Sequence, residues 1–205
     1  YYGLLNPIIM LSYLFPQVSM VDYIITTNYV LFLCTGLLFY HFMRSHKKSP
    51  NISLLTTLLV IFSSCLLFHF HRHFMFVNYM PFLILGLMGI DHYFKTNKKW
   101  IYMLSTFMMI MMSYYYSVTG IFVMVIYGIY QYIRVHEKIT VREFLKDGIR
   151  FIIPIVVAIL MAGVLLLPTA YTILNGRTDQ TTSIQLASLF IPDLNLDGLL
   201  YGTYS

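Results

Sequence analysis

The chain is predicted to be an all-α integral membrane protein of about six transmembrane helices, with a short interfacial helix on its outer face. Three observations lead there. First, 59% of its 205 residues are hydrophobic and only 10% charged, against about 25% charged in an ordinary soluble domain, so it lacks the charge to cover a water-facing surface. Second, the apolar residues gather into runs close to the length of about 20 that a helix needs to cross a bilayer. Third, all but two of the 13 Lys and Arg residues sit in three short stretches between those runs. Lys and Arg accumulate in cytoplasmic loops of membrane proteins, so this pattern also sets the orientation.

The stretches are Arg44, Lys47 and Lys48; then Lys95, Lys98 and Lys99; then Arg134, Lys138, Arg142, Lys146 and Arg150. Arg72 and Arg177 are the exceptions. A net charge of +5 would suggest nucleic acid in a soluble protein, but beside apolar runs the basic residues read as topology signals and contacts to anionic membrane lipids. Nucleic acid is therefore excluded as a partner. The mean hydropathy of +0.73 agrees with a membrane location. Cys34 and Cys65 both lie within apolar runs, where Cys acts as a small apolar side chain.

The expected spans are 22–43, 52–70, 78–94, 100–116, 119–133 and 151–169. The first, second and sixth are long enough, the third and fourth marginal, and the fifth short. The tract 101–133 carries basic residues beyond both ends and so crosses an even number of times. Two crossings with a tight outer turn at 117–119 is the preferred reading, and a re-entrant hairpin the alternative. Parity then places 44–51, 95–99 and 134–150 inside, and 1–21, 71–77, 117–119 and 170–205 outside. Segment 1–21, broken by Gly3, Pro7 and Pro16, reads as an interfacial helix. Stretch 134–150 reads as an amphipathic helix on the inner surface, either an anchor or a docking site for a cytosolic partner. Polar segment 170–205 reads as the start of an extracellular loop or domain. The start at Tyr1, without initiator Met or signal sequence, suggests part of a longer protein.

The residues that can carry chemistry are few. His69-Phe70-His71-Arg72-His73 lies at the outer end of the second span. There Arg72 can hold a phosphate through its planar fork, and His71 and His73 can add donors or act as acid or base. Ordinary lipid phosphate would satisfy the same residues. Metal binding is disfavoured, because His at i and i+2 is not the spacing of a helical zinc pair and no carboxylate is close in sequence. Ser113-Tyr114-Tyr115-Tyr116-Ser117 reads either as an interfacial tyrosine belt or as the rim of a sugar- or lipid-binding groove facing the His-Arg-His segment. Asp22 is a weak candidate for a base in that outer groove, and Asp91 reads as part of an interfacial ion cluster with His92 and Lys95. No nucleotide-binding loop or nucleophile elbow is present, and no cofactor is implied.

Three segments carry a family resemblance: Phe74-Met75-Phe76-Val77-Asn78-Tyr79-Met80-Pro81-Phe82-Leu83-Ile84-Leu85-Gly86, Ser113-Tyr114-Tyr115-Tyr116-Ser117-Val118-Thr119-Gly120 and Gly163-Val164-Leu165-Leu166-Leu167-Pro168-Thr169. Their order and spacing resemble the YfhO family of bacterial multi-pass membrane proteins. The resemblance implies a GT-C-type glycosyltransferase in the cell membrane of a Gram-positive bacterium. It would take a sugar from a polyprenyl-phosphate carrier and pass it to teichoic acid on the outer face. Arg72, His71 and His73 are then expected at the donor phosphate, and Asn78, Tyr115, Tyr116 and Arg177 along the substrate groove. Asn78 stands where relatives are expected to carry Asp, which argues against a carboxylate role there. The general base of such folds is a carboxylate in the first outer loop, which would precede Tyr1. The rival readings are a flippase of lipid-linked sugars and a non-catalytic scaffold of a cell-envelope complex.

Overall fold

A computed structural model describes residues 6–72, 74–136, 141–164, 166–168 and 171; for Cys65, His71, Arg72, Phe74 and Met75 it describes the backbone alone. Residues up to Leu166 form one compact unit, and Leu167, Pro168 and Tyr171 are the described part of a second.

All elements among the described residues are helical: α1 (Pro7–Met10), a 3-10 turn (Leu11–Leu14), α2 (Met20–Ser45), α3 (Pro50–Ile61), α4 (Ser64–Arg72), α5 (Phe74–Thr96), α6 (Trp100–Met112), α7 (Tyr114–Val135) and α8 (Val141–Met161). Starts and stops follow local chemistry. Asn6, Ser19, Ser49 and Ser113 place side-chain oxygens on the free N–H groups of α1, α2, α3 and α7, the usual N-cap arrangement. Lys47 and Asn97 take positive φ just beyond α2 and α5, the left-handed residue that commonly ends a helix.

Two helices among the described residues are long and apolar enough to cross a membrane, Met20–Ser45 and Tyr114–Val135. At 1.5 Å per residue they reach about 39 Å and about 33 Å. The expected span 52–70 is divided instead into α3 and α4. The break falls at Phe62–Ser63, where the Ser63 hydroxyl accepts from Leu66 N at 3.3 Å and restarts the helix. A serine hydroxyl inside an apolar run competes with the helix's own hydrogen bonds, and apolar periodicity does not register it.

The turn expected at 117–119 lies at Ser113, so 117–120 belongs to α7. Gly120 serves helix contact there rather than a turn: a Cβ on it would fall 2.6 Å from Met109 Sδ. Thr106 Oγ1 lies 3.7 Å from Met124 Sδ further along, so α6 and α7 run antiparallel as a hairpin. The outer loop expected at 71–77 is largely helical, since α4 runs to Arg72 and α5 begins at Phe74. The amphipathic stretch is not a separate helix either. Arg134 and Val135 close α7, and Val141–Arg150 is the first half of α8, continuous with the apolar run that follows.

The core centres on α5, which packs against α2, α4, α6 and α7. Its glycines permit this. A Cβ on Gly89 would sit 2.7 Å from the backbone nitrogen of Tyr102, and one on Gly86 would sit 3.0 Å from Met124. Small residues at such crossings let membrane helices approach backbone to backbone. α8 leans on α6, with Phe151, Pro154, Ile155 and Ala158 forming its buried stripe.

Polarity is distributed inside out. Leu33 and Leu37 on α2, Leu55 and Leu59 on α3, Phe122 on α7 and Leu160 on α8 are each at least 60% exposed, while Ser53, Thr57, Ser105 and Thr106 are buried. These hydroxyls each donate to the carbonyl four residues back in their own helix. That arrangement satisfies a polar group without a partner helix or water. An apolar exterior of this extent would aggregate in water.

Candidate functional site

The two ends of the bundle carry different chemistry. At the end where α4 stops and α7 starts, the far end, rings are collected. Tyr116 stacks on Tyr79 with centroids 5.8 Å apart and planes 12° from parallel. Phe76 meets Tyr116 edge-on at 5.1 Å, and His69 lies 4.3 Å from Phe76 and 6.1 Å from Tyr116. Offset and edge-on pairs of this kind each add about 0.5–1.5 kcal/mol beyond area burial. α4 is tied to α2 here, because Asn28 Nδ2 donates to the carbonyl of Phe70 at 3.3 Å and Phe70 packs on Tyr29 and Phe32.

The residues singled out in the sequence fall around this cluster unevenly. His71 and Arg72 occupy the last two positions of α4, while His73 and Arg177 lie outside the described residues. Tyr116 is committed to the aromatic packing, and Tyr115 beside it is 70% exposed. Asn78 does not line an open groove; it is buried, and its Oδ1 has no hydrogen-bond partner among the described residues. Asp22 is exposed in the first turn of α2, where a carboxylate is stabilised by the helix dipole. That placement accounts for it without catalysis.

The opposite end, near the basic stretches, holds a buried polar network that spacing along the chain does not reveal. Asp91 of α5 is its hub. Tyr127 Oη donates to Asp91 Oδ1 at 2.7 Å, and Gln131 Nε2 donates to the same oxygen and to Tyr127 Oη. His46, the residue that caps α2, places Nε2 3.0 Å from Tyr127 Oη and 3.3 Å from Asp91 Oδ2. Its Nδ1 faces the Phe42 carbonyl at 2.9 Å. A carbonyl only accepts, so the Nδ1 contact to Phe42 is made when that nitrogen carries a proton.

The partners of Asp91 are thus His46, Tyr127 and Gln131 from two other helices, and not His92 and Lys95. The available signal was a polar i, i+4 pair, Tyr127 and Gln131, inside an otherwise apolar helix. Beside the network, a cavity of about 650 Å³ opens between the ends of α5, α7 and α8. Among the described residues no three His, Cys, Asp or Glu side chains are grouped as a metal site requires.

An apolar exterior, hydroxyls bonded within their own helices and two membrane-length helices define an all-helical integral membrane protein. The chain belongs to the YfhO family: the family model described as bacterial membrane protein YfhO matches residues 1–205. No curated protein and no solved structure matches it.

Proposed function

We propose that this chain is part of a membrane glycosyltransferase of the GT-C type. It transfers a sugar from a polyprenyl-phosphate carrier to teichoic acid on the outer face of a Gram-positive cell membrane. The observation that carries this reading is the far-end aromatic cluster of His69, Phe76, Tyr79 and Tyr116, built against the helix whose last turn bears His71 and Arg72. Departure of the carrier phosphate calls for a cation, and Arg72 is the residue assigned to it. The exposed ring of Tyr115 offers an apolar face for a sugar or for the isoprenoid chain. Positive charge at the basic end orients that end towards the cytoplasm, leaving the far end outside.

The test uses full-length protein in membranes and measures glycosylation of teichoic acid. Arg72→Ala is expected to lower the rate by about 10²-fold, the loss typical of removing one charge-stabilising donor, and Arg72→Lys by less. Unchanged activity at normal expression removes Arg72 from the reaction.

The broken α3–α4 pair and the buried Asp91 favour one rival, a flippase of lipid-linked sugars, because transporters combine interrupted helices with buried ionisable residues. Translocation of the lipid-linked sugar in proteoliposomes without a new glycosidic bond would select that reading.

A further inference from the structure

The cavity at the basic end exists because α8 leans on α6. Tyr102 Oη donates to the Phe151 carbonyl at 3.1 Å, and their rings stack at 5.5 Å. Phe151 beneath Gly128 and Phe144 against Tyr132 bridge to α7. Between these contacts the helices stand apart and leave a groove of about 650 Å³, within the about 300–1,000 Å³ typical of small-ligand sites.

Its walls are apolar, formed by Phe94, Val125, Ile129, Leu145, Ile149 and Ile152, and its mouth is polar, formed by Lys95, Asn97 and His136. The acidic side chain in the lining, Asp147, sits 3.6 Å from Arg150, so its charge is offset. Lys98 lies three residues on from Lys95, and the Lys99 ammonium sits 5.9 Å over the ring of Tyr93 in the groove wall. Ile129, Leu145, Ile149 and Ile152 are also 43–61% exposed, so the groove opens on the same apolar exterior that faces lipid tails.

We propose that this groove binds one anionic glycerophospholipid from the leaflet at the basic end. Its phosphate lies at Lys95 and Asn97, and one acyl chain lies along Phe94, Ile129 and Leu145. The walls require an apolar occupant and the mouth an anion, and the adjoining bilayer supplies both in one molecule. A zwitterionic lipid offers the chain without net charge, whereas free phosphate offers the anion without the chain. Basic pockets between helices on the cytoplasmic side recognise anionic headgroups in this way.

The test uses full-length protein reconstituted in nanodiscs of phosphatidylglycerol and phosphatidylcholine in equal parts, then washed with detergent. Native mass spectrometry reads the lipid that remains. Wild type is expected to retain phosphatidylglycerol over phosphatidylcholine by about fivefold or more, the preference one cation near the surface supplies. Lys95→Glu should abolish the preference. Leu145→Trp and Ile149→Trp, both at exposed positions that can take a larger ring, should lower retention of both lipids while leaving elution and the melting temperature in lipid-free detergent unchanged. Equal retention of the two lipids by wild type, or wild-type retention by both Trp variants, overturns the proposal. So does stabilisation by inorganic phosphate alone as large as that by phosphatidylglycerol.

Discussion

The two ends of the bundle solve the same problem with opposite chemistry. At the basic end α2, α5 and α7 are joined by hydrogen bonds converging on Asp91. At the far end α4, α5 and α7 are joined by ring faces and edges. Hydrogen bonds demand particular partners at particular distances, whereas rings tolerate sliding at small cost. The basic end therefore sets the register of the parallel helices, and the far end has latitude to rearrange.

The contrast breaks most sharply at Asp91. Asp91→Ala should lower stability by about 2 kcal/mol, since buried Gln131 and half-buried Tyr127 and His46 lose their shared acceptor. Asp91→Asn, which keeps an acceptor oxygen, should cost clearly less. Thermal unfolding of purified protein in detergent measures both, and equal costs would show that the carboxylate is not a specific hub.

Next comes Gly89→Ala. Its new methyl meets the Tyr102 backbone, which cannot swing aside, and about 2 kcal/mol of overpacking is expected. Gly86→Ala meets only the flexible end of Met124 and should cost less than half as much, so the difference between the two locates the rigid crossing.

At the far end Tyr116→Ala should cost about 1–2 kcal/mol through loss of its ring pairs, with a lower rate of sugar transfer. Smallest is Tyr115→Ala. This exposed ring should change stability by less than about 0.5 kcal/mol while weakening substrate use. A stability loss as large as that of Tyr116 would make Tyr115 structural.

Element positions were legible wherever apolar composition alone decides. The expected run 22–43 became Met20–Ser45, and the run 119–133 ends within two residues of Val135. The breaks were not legible. Ser63 and Ser113 restart the chain as α4 and α7 through single hydroxyls, while Gly120, which reads as a turn residue, marks a close helix contact. Of the candidate site residues, Tyr116 and the His-Arg-His segment were expected to share one end; His69, two residues before that segment, lies 6.1 Å from Tyr116, and the side chains of 71–73 are outside the described ones. The fate of Asn78 was hidden, because which side of α5 turns inward depends on α6 and α7. The Asp91 network was hidden more deeply, since its bonds to Tyr127, Gln131 and His46 span 36 residues or more.

Those long separations have a consequence for how the protein is made. Asp91 leaves the ribosome after His46 but 40 residues before Gln131, a delay of about 2–8 s at ~5–20 residues per second. Until Tyr127 follows, 36 residues on, α5 carries its carboxylate with His46 as the one network partner already synthesised. α2 is then a temporary companion that shelters the charge until α7 arrives. Nascent chains halted before Tyr127 should retain α5 poorly in the bilayer when His46 is replaced by Leu, although the finished protein keeps two of the three partners of Asp91.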